Sequence, residues 1–484
     1  MTETPAPRTG DPTQRADTPT PANGSAAPTS ANDGGSAASA IDDVSSQSTS
    51  DASALTDAYA SSRPEHDAGS QSEREADFLA DWAVHSRFGA VEGTNGVDRQ
   101  AASTADGQQR KWFARLLADH GFTVHRDAIG NQFGLLELVP GAPYVLTGSH
   151  MDSQPTAGRF DGAYGVMASA HACFAIADEL RADPAQARFN LAVVNWFNEE
   201  GSRFKPSMMG SNVFTGKADL EAALATTDPH GVTVAEALDT IGERGDFTAP
   251  EIASYAEIHV QQGRSMEEEG VTIGLVNATW AAHKFEFRVH GAQAHSGSTL
   301  MADRRDALLG AARLVVAARE LVDEFEPGAL HTACGELNVY PNSPVVVASE
   351  VELLLDLRSP SAEVIAAAHA SLMAAVAEVS EEVGVDIEIT AEHSWDQNPY
   401  SEDGVELARA VADDLGLTSA TVMTVAGHDS TNMKDTVPTV MLFVPSVGGV
   451  SHSLEEFTKD EDLLSGLHHL TEVVRRLAGG ALAG

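Results

Sequence analysis

From about residue 71 onward, apolar residues recur at helical spacing, first in READFLADWAVHSRF and then in QQRKWFARLLADHGF. The period then shortens, and FTVHRD, NQFGLLELV and PYVLTGSH predict strands. A long helix is predicted over 163–183. It leads into FNLAVVNWFNEEG, whose unbroken apolar run is the mark of a strand buried on both faces. Helix and strand alternating in this order predict an α/β sandwich whose strand ends carry the polar groups.

The rhythm changes between about 280 and 393. There HKFEFRVHG, a helix, TACGELNVY, EVELLLDLRS, a second helix and DIEITAEH follow one another as βαββαβ, a ferredoxin-like unit. Beyond it the α/β pattern resumes with GVELARAVADDLG, ATVMTV, TVPTVMLFVPS and a final helix KDEDLLSGLHHLTEVVRRLA. The expected organisation is a larger domain in two parts, 71–279 and 394–484, with a smaller one inserted over 280–393. Residues 1–70 are rich in Ala, Ser, Thr, Pro, Gly and Asp. They hold too little apolar surface to offset ordering entropy, so they are predicted to be a disordered acidic tail.

Composition narrows the function classes. With 71 acidic against 30 basic residues in 484, the formal charge of −41 repels nucleic acid and anionic membranes. The acid is spread along the chain, which fits a halophilic setting, where a Debye length of about 3 Å at 1 M salt screens self-repulsion. Cys173 and Cys334 are the two cysteines; their spacing suggests neither a disulfide framework nor a thiolate metal site, and a reducing cytoplasm is expected. No run of about 18 apolar residues is read as a membrane span, and the first residues lack a signal-peptide pattern.

One segment, TGSHMDSQPTAGRFDGAYG, places His150, Asp152 and Asp161 in a Gly-rich loop after a strand, although a loop that only reverses the chain has no use for them. Glu199 and Glu200 end another strand, His259 lies in YAEIHVQQG, and His452 in GGVSHSLEE. Singly, each has a plain explanation as a strand histidine, a solvated strand end or a turn residue. Jointly, His150, Asp161, Glu200, His259 and His452 supply the ligands that two divalent metals sharing one carboxylate require. Asp152, two residues beyond His150, is placed to accept the spare imidazole N–H and orient the ring. Glu199 is the acid left over beside a ligand, and a general base is its natural role.

In GSHMDSQPTAGRFDGAYGV, NEEGSRF, EIHVQQG, AHSGSTLMADRRDA, LDLR, AGHDSTNM and PSVGGVSHSLEE, the chain resembles the amidase, hydantoinase and carbamoylase branch of the di-zinc aminoacylase and carboxypeptidase superfamily. That branch includes N-carbamoyl-L-amino acid hydrolases, β-ureidopropionases and allantoate amidohydrolases. The resemblance implies a hydrolase of linear amide or ureido C–N bonds with two divalent ions per subunit. One would be held by His150 and His259 and the other by Glu200 and His452, with Asp161 bridging. Histidine and carboxylate ligands suit Zn, Mn, Co or Ni. It further implies that the inserted domain is a lid that mediates a homodimer, that His295 reaches the neighbouring subunit's site to stabilise the oxyanion, and that Arg358 and Gln262 bind a small carboxylate-bearing substrate. A guanidinium suits a carboxylate, yet Arg358 also has Asp356 nearby, and His295 is placed to cap the helix starting near Asp303. Two departures stand out. Val345 occupies the position of a substrate-binding Asn, leaving Asn342 as the nearest substitute, and STLMADRR lacks a customary Pro after the Thr.

Overall fold

A computed structural model describes residues 70–183 and 186–483; the expected tail, up to residue 69, lies outside the described residues. The larger sheet comprises β1 (Thr123–Arg126), β2 (Gln132–Leu136), β3 (Tyr144–His150), β4 (Asn190–Trp196), β5 (Ile252–Val260) and β6 (Ile273–Thr279). The smaller one comprises β7 (Ala281–His290), β9 (His331–Tyr340), β11 (Glu350–Ser359) and β12 (Asp386–Trp395), and the two-residue strands β8 (Ala294–His295) and β10 (Val346–Val347) pair beside it. β13 (Asn398–Pro399), β14 (Ser419–Thr424) and β15 (Thr439–Val444) return to the larger sheet. The mixed α/β class read from the pattern holds.

Strand order in the larger sheet is β1-β2-β4-β3-β5-β15-β6-β13, with β14 beside β6. Its centre, β4-β3-β5-β15, is parallel. Both faces are buried there because successive side chains alternate between them. Val145, Leu191, Val193, Ala256 and Ile258 meet one apolar core, whereas Leu146, Ala192, Val194, Trp196 and Tyr255 meet another.

The helices Ala163–Ala182 and Asp460–Ala478 cover the first face. The latter buries Leu463, Leu467, Leu470, Val474 and Leu477 on one stripe, each worth roughly 1.5–3 kcal/mol. It opens on Asp460, Glu461 and Asp462 and closes on Arg475 and Arg476, charges that complement the helix dipole. Three short helices that the polar pattern does not announce, Met209–Phe214, Leu220–Ala225 and Val234–Ile241, fill the stretch before β5; Phe204, Val234 and Leu238 bury them around a small core.

The smaller sheet is antiparallel, order β12-β7-β11-β9, and has its own core, in which Phe285, Phe287, Leu353 and Leu355 meet Leu314, Ala311 and Leu372. Those last three come from the helices Ala307–Glu320 and Ala362–Val383. The latter is the one helix among the described residues that bears on the membrane-span expectation. It is 22 residues long with a mean hydropathy of 1.5 over its most apolar 18, long and apolar enough to cross a membrane. Alanines raise that value, and its Ile365, Ala368 and Leu372 face packs on the sheet.

Candidate metal centre

The parallel strands of an open α/β sheet present polar groups beyond their carboxyl ends, and the five candidate ligands come from there. His150 is the last residue of β3, His259 the penultimate residue of β5; Glu199 and Glu200 follow β4, and His452 lies in the loop after β15. Asp161 precedes the helix Ala163–Ala182. Its Oδ1 lies 2.9 Å from His259 Nε2 and 3.5 Å from His150 Nε2, and its Oδ2 lies 3.2 Å from His452 Nε2. His452 Nε2 is 3.4 Å from Glu200 Oε2. Two groups with convergent ligand atoms result, His150–Asp161–His259 and Asp161–Glu200–His452, and they share Asp161.

Local backbone makes this approach possible. Gly162 has φ +63°, and a Cβ there would sit 2.2 Å from His150 Nε2; glycine alone fits both the conformation and the space. Asn198 takes φ +51° and donates its side-chain N–H to the carbonyl of Phe204 at 2.7 Å, which fixes the turn leading to Glu199. His259 Nδ1 lies 2.8 Å from the Val260 carbonyl; donation there leaves the Nε2 lone pair facing Asp161 and the Gly162 N–H.

Asp152 differs from expectation. His150 Nδ1 meets the backbone carbonyl of Asp152 at 3.1 Å, while the carboxylate stands 3.6 Å away. That carboxylate instead accepts the N–H groups of Glu199 and Glu200, at 3.2 and 3.3 Å, so it positions the acid pair more than the imidazole. Gln262 donates to Asp161 Oδ2 at 2.8 Å and to Ser451 Oγ at 3.2 Å, which makes it a brace of the shared carboxylate.

The electrostatics are those of a site with surplus buried negative charge. Burial first, then neighbouring acids, push Glu199 well above its ordinary value despite His150, whose Nε2 is 3.4 Å away. Burial and Asp161 raise Glu200 to about 7. Burial opposes charge on His150, yet Glu199, Asp152 and Asp161 outweigh it and raise the imidazole. The hydrogen bond with Asp161, opposed by burial and helped by Glu200, raises His452 to about 9. Glu199 and Glu200 pushed up by burial and neighbouring acids, beside imidazoles pushed up by the same acids, mark a concentration of negative charge that a bound cation would offset. The residues present therefore fit divalent ions.

Against this geometry the comparisons are decisive. The model of peptidase family M20/M25/M40 matches residues 146–476. The chain belongs to that family. An M20-type relationship extends to an N-carbamoyl-L-amino-acid amidohydrolase of Rhizobium meliloti, 33% identical over 386 residues, covering 79% of this chain and 92% of that one. A protein of Mycolicibacterium smegmatis, which carries no more specific name than hydrolase, is 55% identical over 415 residues, 84% of this chain and 94% of its own. Among solved structures, a hydantoinase/carbamoylase family amidase from Burkholderia vietnamiensis matches with a TM-score of 0.77 at 33% identity, covering 84% of this chain and 97% of that one. The resemblance to the hydantoinase and carbamoylase branch is borne out.

Not every residue singled out in this M20 chain joins the cluster. His295 is exposed, and its Nδ1 accepts the N–H groups of Gly297 and Ser298 at 3.0 and 3.2 Å. The helix beyond it is capped by Asp306. Arg358 pairs with Asp356, Nε to Oδ2 at 2.8 Å, and donates to the Val425 carbonyl at 2.8 Å. Asn342, at φ +50°, and Val345 are exposed. Among the described residues, none of these four forms a hydrogen bond or ion pair with the five candidate ligands.

Three further residues belong to the M20 centre. Buried Glu456 accepts the N–H groups of Phe160 and Asp161 at 2.9 and 3.0 Å, holding the loop that carries the shared carboxylate. Gln154 donates to Glu200 Oε2 at 2.8 Å. His428 lies buried with its ring 4.5 Å from that of His259, and burial keeps it neutral. Glu456 follows His452 by four positions inside a stretch already singled out, a signal that was within reach.

Proposed function

We propose that this chain is a two-metal amidohydrolase that cleaves the ureido C–N bond of an N-carbamoyl amino acid, releasing ammonia, carbon dioxide and the free amino acid. The observation that carries it is a pair of ligand groups meeting at Asp161, with one unassigned acid, Glu199, 3.4 Å from His150. Bound at those groups, Zn, Mn, Co or Ni would polarise the carbonyl and acidify water. His150 and His259 would hold one ion, Glu200 and His452 the other, with Asp161 between them.

Glu199 supplies the proton traffic. It accepts a proton from the attacking water, the oxygen bonds to the carbonyl carbon, and the bond to the terminal nitrogen breaks as Glu199 returns that proton to it, releasing ammonia; the carbamic acid left on the amino acid then loses carbon dioxide to give the free amine. A carboxylate whose pKa is pushed up by burial is suited to both halves of that exchange. Asp152 holds the backbone of Glu199 and Glu200 in place meanwhile.

We infer that the β7–β12 unit, the domain inserted over 280–393, acts as a lid and dimerisation element. In favour stand the exposure of His295 and the apolar side chains Leu300, Met301, Leu309, Tyr340 and Val345, which together with others in this unit make up most of the large apolar groups open to solvent among the described residues. A second copy of this chain would supply His295 to the oxyanion, a donor commonly worth about 3 kcal/mol. Arg358 would release Asp356 to take the substrate carboxylate. The free thiols Cys173 and Cys334 suit a cytoplasmic setting.

The test is ammonia release by the purified protein in molar KCl, with and without added Mn or Zn, from N-carbamoyl-L-amino acids, N-carbamoyl-β-alanine and allantoate, with an N-acetyl amino acid as control. Metal-dependent ammonia from the carbamoyl amino acids is expected. Ammonia from allantoate alone would replace this substrate by the diureido one, and silence on the whole panel with metal bound would sink the proposal.

A further inference from the structure

We propose that His283, His369 and Glu392 form an additional cation site in the smaller sheet, separate from the Asp161 cluster, that takes a first-row divalent metal such as zinc, cobalt or nickel. His283 Nε2 lies 2.6 Å from Glu392 Oε1, and His369 Nε2 lies 3.8 Å from the same oxygen. One ligand atom from each residue falls within 4.8 Å of the others. Ligands bound at about 2.0–2.1 Å in a tetrahedron stand about 3.3 Å apart, so small side-chain rotations bring all three onto one ion. Two imidazoles and a carboxylate are a donor set that such metals prefer.

The convergence is built by the backbone. His283 and Phe285 alternate inward along β7 with Phe287 and Val289. On the edge strand β12, Ile387 and Ile389 pair with Val289 and Phe287, so odd positions face the helices. A register shift between Ile389 and Ala391 then reverses the phase, and Glu392 falls opposite Phe285. Without that irregularity the two-residue period would turn Glu392 to the other face.

His369 arrives from the helix Ala362–Val383, one turn after Ile365 and on its sheet-facing stripe. The Phe285 ring stacks on His283 at 4.3 Å and on His369 at 5.4 Å, and the two imidazoles lie 4.8 Å apart. His283 is buried, His369 half-buried and Glu392 exposed, which leaves a remaining position for water and a route of entry. An ion here would clamp the edge strand to the helix, the function of a structural site.

A simple hydrogen-bonded pair needs only one imidazole on Glu392, and the two readings separate by metal counting. The full-length chain, stripped of metal and dialysed against zinc chloride or cobalt chloride, is compared with His369→Ala and Glu392→Gln by elemental mass spectrometry, with circular dichroism to check folding. Each variant is expected to hold one equivalent less than the parent. Because variant is compared with parent, the result reads the same however many ions the Asp161 cluster takes. Equal stoichiometry would overturn the site. Independently of any variant, zinc is expected to protect His369 from diethylpyrocarbonate in the parent chain; His369 modification undiminished at saturating zinc would also overturn the site.

Discussion

Gly162 shows how one residue sets the geometry of the centre: its positive φ and the 2.2 Å approach of His150 Nε2 leave no room for a side chain. Gly162→Ala is therefore expected to weaken metal binding by about 10–100-fold, the range seen when the surroundings of a ligand are disturbed; unchanged affinity in a zinc competition titration would contradict the role given to this loop. The five candidate ligands were legible in the sequence only jointly: each alone reads as a strand histidine, a strand end or a turn residue, whereas together they supply a two-metal donor set, and the structure brings their ligand atoms together. Asp152 was legible as part of the site, but the hydrogen bond attributed to its carboxylate belongs to its backbone carbonyl. Its true partners, the N–H groups of Glu199 and Glu200, lie 47 and 48 positions away, and no local pattern reports such a pairing.

At the scale of elements, buried His469 on the helix Asp460–Ala478 links two helices, its Nε2 2.8 Å from the Ala408 carbonyl. Burial lowers its imidazole from 6.5 to about 4. Between those values the unfolded ring takes up a proton that the folded one refuses, so stability is full above pH 6.5 and falls as the pH drops toward 4. In urea titrations His469→Gln, which keeps a donor for Ala408, is expected to lose about 3 kcal/mol less than the parent between pH 7 and pH 4. Parallel pH profiles would contradict this. Most longer strands and the long helices were readable from period or, for β4, from an unbroken apolar run, whereas β6 (Ile273–Thr279) and the two-residue strands were not. The three short helices before β5 were not, because each is too short to establish a period and takes its stability from packing on Phe197 and Phe204.

At the scale of the whole molecule, a formal charge of −41 sets a self-repulsion that salt screens. Raising KCl from 0.1 to 1 M shortens the Debye length from about 10 to about 3 Å, and the urea midpoint is expected to rise with it; a midpoint that falls or stays level would remove the case for a high-salt setting. Association belongs to the same scale. If the exposed apolar side chains around Leu300 and Val345 meet a second copy, Leu300→Glu with Met301→Glu is expected to yield monomers in analytical ultracentrifugation, whereas an unshifted sedimentation coefficient would place the interface elsewhere. Whether Glu199 carries the proton in an amidohydrolase built around Asp161 is tested most directly by steady-state turnover of an N-carbamoyl-L-amino acid by the parent and by Glu199→Gln, each loaded to the same metal content. A kcat reduced by about 10²–10⁴-fold at equal metal occupancy is the predicted result. Equal turnover by the two proteins would contradict it.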